Sequence, residues 1–305
     1  MWSFVARRLL TAIVVVFGVV TAIFFLARLS GDPIALMIQP GMSPADIDKL
    51  RVFLGFDRPV WEQYLAFVAS ALRGDFGQSP WQMAPAFGLV LERLPPTLLL
   101  TSVALTFTLV LGVAAGTISA VWRGSIIDRV VMVIVLMGQS IPGFWLGVML
   151  ILIVSVEMRL VPAAGYGTAL HLVLPAVTLG LFSLARLTRL VRSELLDTLS
   201  REFIITARSK GLREVVILWR HAIRNVLVPI VTVIAVDFGV LIGGAVIVET
   251  IFAWPGLGRL MIQAIGQRDF PIVQAGVFVI AILVVTTNLI ADLLYAWLDP
   301  RIRYT

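Results

Sequence analysis

The sequence predicts an all-α integral membrane protein: six transmembrane helices, with a small helical extracytoplasmic subdomain between the first and second. Three observations predict it. Hydrophobic residues make up 59% of the 305 and charged residues only 14%, against about 25% charged in ordinary soluble domains. The apolar residues gather into six stretches, each near the ~20 residues an α-helix needs to cross hydrocarbon. Cations are concentrated in alternate loops, while the intervening loops are nearly balanced.

The first span, 9–29, follows Arg7 and Arg8. It is long for a signal-peptide core, and Ala27-Arg-Leu-Ser-Gly31 is a poor cleavage site, so it reads as a retained helix that could also serve as an uncleaved signal-anchor. Residues 30–94 form an outer loop long enough to fold. Ser43, Pro44 and Asp46 supply an N-cap, a proline at N1 and an acid at N3, opening a helix through Leu54 that Gly55 stops. Pro59 opens another, with Val60, Tyr64, Phe67, Val68, Ala71 and Leu72 along one face and its end at Gly74. Residues 74–79 read as a turn, and 87–94 as an interfacial helix ended by Pro95-Pro96. The remaining spans are 97–121, 130–156, 172–191, 229–250 and 274–297, with a polar loop at 196–228.

An even number of spans puts both termini on one side. With the N-terminus inside, Arg7, Arg8, Arg123, Arg129, the cations of 186–224, Arg301 and Arg303 face the cytosol. The outer cations are offset by acids such as Asp46, Glu62, Asp75 and Glu157. The positive-inside tendency therefore predicts N-in and C-in. The net charge of +6 is absorbed by loop orientation and does not imply nucleic-acid binding. No repeat with a period of 20–50 residues is visible.

Several chemistries are excluded. The chain has no cysteine, hence no disulfide framework, thiolate metal site or Cys nucleophile. Neither lysine, Lys49 nor Lys210, follows a glycine, so there is no P-loop. His171 and His221 are the only histidines and neither lies in a His-Glu-x-x-His context, so no zinc site is expected. No Gly-x-Ser-x-Gly elbow occurs.

The chemistry points instead to the polar loop. Between residues 201 and 225 lie Arg201, Arg208, Lys210, Arg213, Arg220 and Arg224, against Glu202 and Glu214. Such a stretch is too costly for hydrocarbon and must project into water. Gly211 breaks a helix running up to Lys210. A second short segment, 212–225, mixes Val215, Val216, Leu218, Trp219 and Ile223 with charge, before Pro229 restarts the fifth span. A rigid, exposed element of this kind suits docking to a soluble partner; a solvated connector is the plain alternative.

Glu202-Phe-Ile-Ile-Thr-Ala-Arg-Ser-Lys-Gly211 and His221-Ala-Ile-Arg-Asn-Val-Leu-Val-Pro229 resemble the EAA loop of bacterial ABC importer permeases, most closely the oligopeptide/dipeptide/nickel subfamily. The likeness extends over the full length, through Gly31-Asp-Pro33, Gly74-Asp-Phe-Gly77, Glu92-Arg-Leu-Pro95, Ile141-Pro-Gly-Phe-Trp-Leu-Gly147, Leu174-Pro-Ala-Val-Thr-Leu-Gly180, the stretch Gly244 to Arg259, and Leu298-Asp-Pro-Arg-Ile-Arg303. There is one departure. Ile205-Thr-Ala207 occupies the Glu-Ala-Ala place, and Pro229 lies eighteen residues after Gly211 rather than about thirteen, so Glu202 is not the general motif's glutamate.

The resemblance implies a non-catalytic permease subunit in the bacterial inner membrane, importing short peptides. The alternative is the same importer type for a nickel or metal chelate, glutathione or a sugar conjugate. It implies a second homologous permease, two ATPase subunits and a periplasmic or lipid-anchored solute-binding protein as partners, besides membrane lipid. ATP and Mg²⁺ belong to the ATPases, leaving no cofactor in this chain. By carry-over, Glu202, Thr206, Ala207, Arg208, Lys210, Gly211, Leu212 and Arg213 couple to the ATPase, the apolar groups filling its groove and the cations setting register.

Other positions keep two readings. Asp237 and Asp292, carboxylates within the fifth and sixth spans, either bind a cation along the pathway or pair with arginines and helix ends. Glu249 and Trp254-Pro-Gly-Leu-Gly258 form either a gate-like turn or a plain turn with an interfacial Trp. Pro142-Gly143 allows a kink beside a cavity or ordinary packing. Gly239, Gly243 and Gly244 give the fifth span a small face for close helix contact. An ion-coupled secondary transporter, the rival class, would show inverted repeats and several midplane ionisable groups. An intramembrane aspartyl protease lacks its Gly-x-Gly-Asp context here.

Overall fold

The computed structural model describes residues 2–29, 42–53 and 57–298. The expectations for Gly31-Asp32-Pro33, for the Leu54–Gly55 helix stop and for the stretch after Leu298 lie outside them. Among the described residues the regular structure is helical throughout. Five helices are long and apolar enough to cross a bilayer, or six if one bent pair is a single span. The chain divides into two compact units, Met1–Pro96 with Pro255–Thr286 and Thr97–Trp254 with Thr287–Thr305.

The first unit is built on α1 (Trp2–Leu29), α2 (Pro44–Phe53), α3 (Val60–Leu72), the beginning of α4 (Ala86–Val121), α11 (Leu257–Gly266) and the first half of α12 (Phe270–Leu298). Ser43 opens α2 as read: its Oγ accepts from the Asp46 amide at 3.2 Å and donates to the Asp46 carboxylate at 2.8 Å. Helix α3 ends where Gly74 takes φ +74°, with Asp75 N–H donating to the Ser70 carbonyl. Its inner face carries Phe67, Val68 and Ala71 into a core with Val20, Phe76, Val90, Leu257, Leu260 and Ile272. The Tyr64 hydroxyl also meets Thr21 of α1 at 2.7 Å. An acid fixes the start of α12: buried Asp269 accepts from the Ser79 hydroxyl and from the Ile272 amide.

Two departures from the sequence reading appear here. The helix over 87–94 does not stop at Pro95-Pro96; α4 runs through both prolines to Val121. Two backbone donors are lost, yet Phe87, Leu89, Val90 and Leu94 are packed in the core, and that packing holds the helical path. Helix α11, amphipathic, follows immediately after the Trp254-Pro-Gly turn, where the sequence motif signals only a turn. Its buried Leu257, Leu260, Met261 and Ala264 recur at i, i+3, i+4 and i+7.

The second unit holds the rest of α4 with α5 (Ile126–Ser140), α6 (Gly143–Leu150, continuing as a π-helix through Glu157), α7 (Leu170–Leu199), α8 (Glu202–Ser209), α9 (Glu214–Val216, continuing as a π-turn through Ala222) and α10 (Ile223–Ile251). The third span is not one helix. It breaks at Ile141–Pro142, and the two pieces meet at 105°. Helix α7 packs on both α10 and α5. It also meets α4 at glycine: a Cβ on Gly116 would stand 2.7 Å from the Thr188 carbonyl oxygen, and one on Gly180 2.9 Å from that of Ala104. Gly112 and Gly116 thus form a Gly-x-x-x-Gly contact, the backbone-to-backbone approach that apolar helices use in membranes. Gly244, singled out on the fifth span, approaches Leu179, while Gly239 and Gly243 face open space within the chain.

Candidate functional site

The polar loop is an ordered helical hairpin attached to the inner face of α7. Helix α8 places Ile204 (0% exposed) and Ala207 three residues apart, and both are buried with Leu187, Val191 and Leu195 of α7 and with Ile217, Ala222, Ile223 and Val226. Gly211 then terminates α8. Its N–H donates to the Arg208 carbonyl at 2.9 Å, the Leu212 N–H to the Ala207 carbonyl at 3.3 Å, and its φ of +74° is the left-handed value this cap requires. Arg208 closes the turn from outside, donating to both oxygens of Glu214 at 2.7 and 3.2 Å. That guanidinium holds the Glu214 carboxyl below its ordinary range, and Glu214 in turn raises Arg208.

Seven of the eight residues assigned to coupling face outward: Glu202, Thr206, Arg208, Lys210, Gly211, Leu212 and Arg213. Ala207 does not. It is 6% exposed and belongs to the chain's own core, because it shares the inward stripe of Ile204. The Thr206 hydroxyl is turned back onto the Glu202 carbonyl at 3.0 Å. The exposed apolar groups of the loop include Phe203, Ile205, Val215 and Trp219, the last 62% exposed. The i, i+3 spacing of Ile204 and Ala207 would have separated inner from outer residues in the sequence.

At the opposite end of α10, Glu249 and Trp254 come together. Glu249 is fully enclosed, accepts the Thr97 hydroxyl at 2.5 Å, and its carbonyl receives the Trp254 N–H at 2.9 Å. Trp254 is 1% exposed and meets Tyr166 edge-on at 4.7 Å, so its ring packs inside the chain. Ala253 supplies the left-handed residue of this cap at φ +49°, where glycine is the unstrained choice. Ala253→Gly is expected to preserve the turn and raise stability by up to about 1 kcal/mol, read by thermal unfolding. The two aspartates behave differently. Asp237 is fully buried on α10 and ion-paired with Arg186 of α7; Asp292 is half-buried on α12.

Residues 112–304 match the family model described as binding-protein-dependent transport system inner membrane component, and residues 1–112 match the model of its N-terminal part. The chain belongs to that family. It is therefore a multi-pass permease component of an ABC importer. The permease is 38% identical over 305 residues to the glutathione transport system permease protein GsiC of Escherichia coli K12, covering 100% of both chains, and equally to that of Shigella flexneri serotype 5b. In fold it resembles a chain of the inward-facing MetNI methionine ABC transporter, with TM-score 0.59, 24% identity, and coverage of 69% of this chain and 96% of that one. A crystal structure of an amino acid ABC transporter with histidines matches with TM-score 0.55 and 18% identity, covering 69% and 94%.

The roles of three charged side chains of the permease escaped the sequence reading. Asp128, three residues after the N-cap Ser125, is 5% exposed and receives Arg192 at 2.9 and 2.8 Å. Arg186 and Arg192 were counted only as part of a cationic cluster. Both in fact anchor α7 to its neighbours, Arg186 to α10 and Arg192 to α5. Their spacing of six residues gave no signal, because the partner acids are remote in sequence.

Proposed function

We propose that the permease imports a glutathione-type tripeptide across the bacterial inner membrane, paired with a second related permease and driven by separate ATPase subunits. The observation that carries this is the 38% identity, over the whole length of both chains, to permeases named for glutathione transport. It favours the glutathione alternative over di- and oligopeptides in general. Glutathione is itself a peptide, so the loop features shared with the peptide/nickel subfamily remain consistent with it.

The chain's own part is mechanical. The segment 202–213 presents Phe203, Ile205 and Leu212 with Lys210 and Arg213 to a groove on an ATPase subunit, which holds ATP and Mg²⁺. Movement of that contact displaces α8 together with α7, on which α8 is packed. No residue of this chain performs chemistry on the solute. A solute-binding protein delivers the tripeptide to the end bearing Glu249 and Trp254.

The test is uptake by the complex reconstituted with its ATPases, second permease and binding protein. Labelled glutathione should accumulate in an ATP-dependent way, and excess dipeptide should compete weakly. Preferential uptake of dipeptides would return the substrate to short peptides, and the absence of any ATP-driven uptake would remove the importer mechanism. Gly211 offers a local check. Gly211→Val places a β-branched residue at φ +74°, strained by about 1–2 kcal/mol, and is expected to lower solute-stimulated ATP hydrolysis, whereas Gly211→Asn retains most of it.

A further inference from the structure

We infer that Asp128 and Arg192 form a strut that makes α5 and α7 move as one body, delivering motion of the coupling loop to the break at Ile141–Pro142. The inference rests on the importer mechanism proposed above. At one end of the α5–α7 contact, the buried Asp128 carboxylate is held by four donors. Arg192 supplies two hydrogen bonds at 2.9 and 2.8 Å, the Gly124 N–H another at 2.9 Å, and the Ser119 hydroxyl the fourth. These come from α7, from the 122–125 turn and from the end of α4, so the start of α5 is fixed from three sides. At the other end, Gly138 of α5 lies against Leu181 of α7, where an added Cβ would stand 3.2 Å from Leu181 Cγ.

The order of parts then sets the path. Ile204 and Ala207 bury α8 against Leu187, Val191 and Leu195 of α7. Arg192, on that same stretch of α7, grips α5. Helix α5 ends at Ser140, two residues before Pro142, whose missing N–H cannot tie the chain back to Gly138. A bidentate ion pair and a glycine contact resist sliding, whereas a proline break of 105° flexes at few hydrogen bonds. The joint is therefore at the break, beside a shallow surface hollow lined by Val133, Leu136, Met137, Ser140 and Ile141. Asp128 and Arg192 are positioning residues in this scheme and touch no solute.

This chain has no cysteine, so a Gly138→Cys, Leu181→Cys pair can be joined within it by a short bifunctional maleimide, whose thioether links the thiol of glutathione does not reverse. Each single Cys variant, treated alike, is the control for the other subunits. If α5 and α7 move together, the cross-link should leave ATP-driven glutathione uptake within about twofold of the untreated form. Uptake abolished in the cross-linked pair but kept in both treated single variants would overturn the strut. In a second measurement, Asp128→Asn should keep solute-stimulated ATP hydrolysis while solute moved per ATP falls about tenfold. A parallel fall of both, or an unchanged ratio, assigns the pair a purely structural role and also overturns it. Where the Asn variant fails to assemble, the cross-link decides. An unmodified complex without ATP-driven uptake would sink the importer mechanism itself; an unmodified complex that couples while the cross-linked one stalls would sink only the strut.

Discussion

Arg186→Met is expected to destabilise the permease by about 3–5 kcal/mol, the loss seen when one partner of a buried ion pair is removed. Asp237 is 0% exposed on α10, and Arg186 of α7 is its ion-pair partner. Without the guanidinium, a carboxylate remains among apolar helices with no compensating charge. The reverse change should cost less. Asp237→Asn strands a guanidinium that is 39% exposed within the chain and keeps a route to water, so a loss of about 1–3 kcal/mol is expected. The double variant Arg186→Met, Asp237→Leu should recover most of the stability, because a buried pair is often replaceable by apolar groups of similar volume. Thermal unfolding of the purified complex orders the three. Equal melting of wild type and both single variants would mean that the pair contributes nothing. The double variant also separates the two roles of Asp237: wild-type stability with lost uptake would return the carboxylate to the solute pathway.

The second large effect is expected at Gly116. Gly116→Ala adds a Cβ 2.7 Å from the Thr188 carbonyl oxygen and 2.7 Å from Val191 Cβ, neither of which can rotate away. Helix α4 must then separate from α7, and overpacking of this kind costs about 1–3 kcal/mol, more than the 0.5–1 kcal/mol by which alanine exceeds glycine in a helix. Gly112→Ala, one turn earlier, meets only the Leu187 side chain, Cδ2 at 2.9 Å and Cβ and Cγ at 3.2 Å, and no backbone atom, so an effect smaller than that of Gly116→Ala is expected. Gly239→Ala, with nothing within 4 Å, should be neutral within the chain. The yield of folded monodisperse protein and its melting temperature decide the order. A Gly116→Ala variant as stable as Gly239→Ala would disprove the close contact.

These expectations show where the sequence was legible. Apolar stretches long enough to span declare themselves, because hydrocarbon demands length and apolarity locally. Gly211 and Gly74 were legible for a related reason: a helix end needs a left-handed residue, and glycine supplies it. Pro95-Pro96 misled for the complementary reason. Proline weakens a helix locally, but the packing of Val90 and Leu94 outweighs that preference, and packing is set by residues distant in sequence. The break at Ile141–Pro142 was visible as an allowed kink, but its angle was not.

The candidate site divides in the same way. The density of cations between 201 and 225, and the full-length likeness to importer permeases, singled out the polar loop at 196–228 as the candidate docking element. Which residues of that loop are exposed was decided by packing: Ala207 turns in and Ile205 turns out, although both are apolar. The pairings of Arg186 with Asp237 and of Arg192 with Asp128 join positions about 50 and 64 residues apart. By itself the sequence determined the helical membrane class of the protein and its family, since each follows from local composition or motif. Only the tertiary structure decided which charges are spent inside the bundle and which remain for partners, because a charge buried in an apolar interior persists only where the fold supplies its counter-ion.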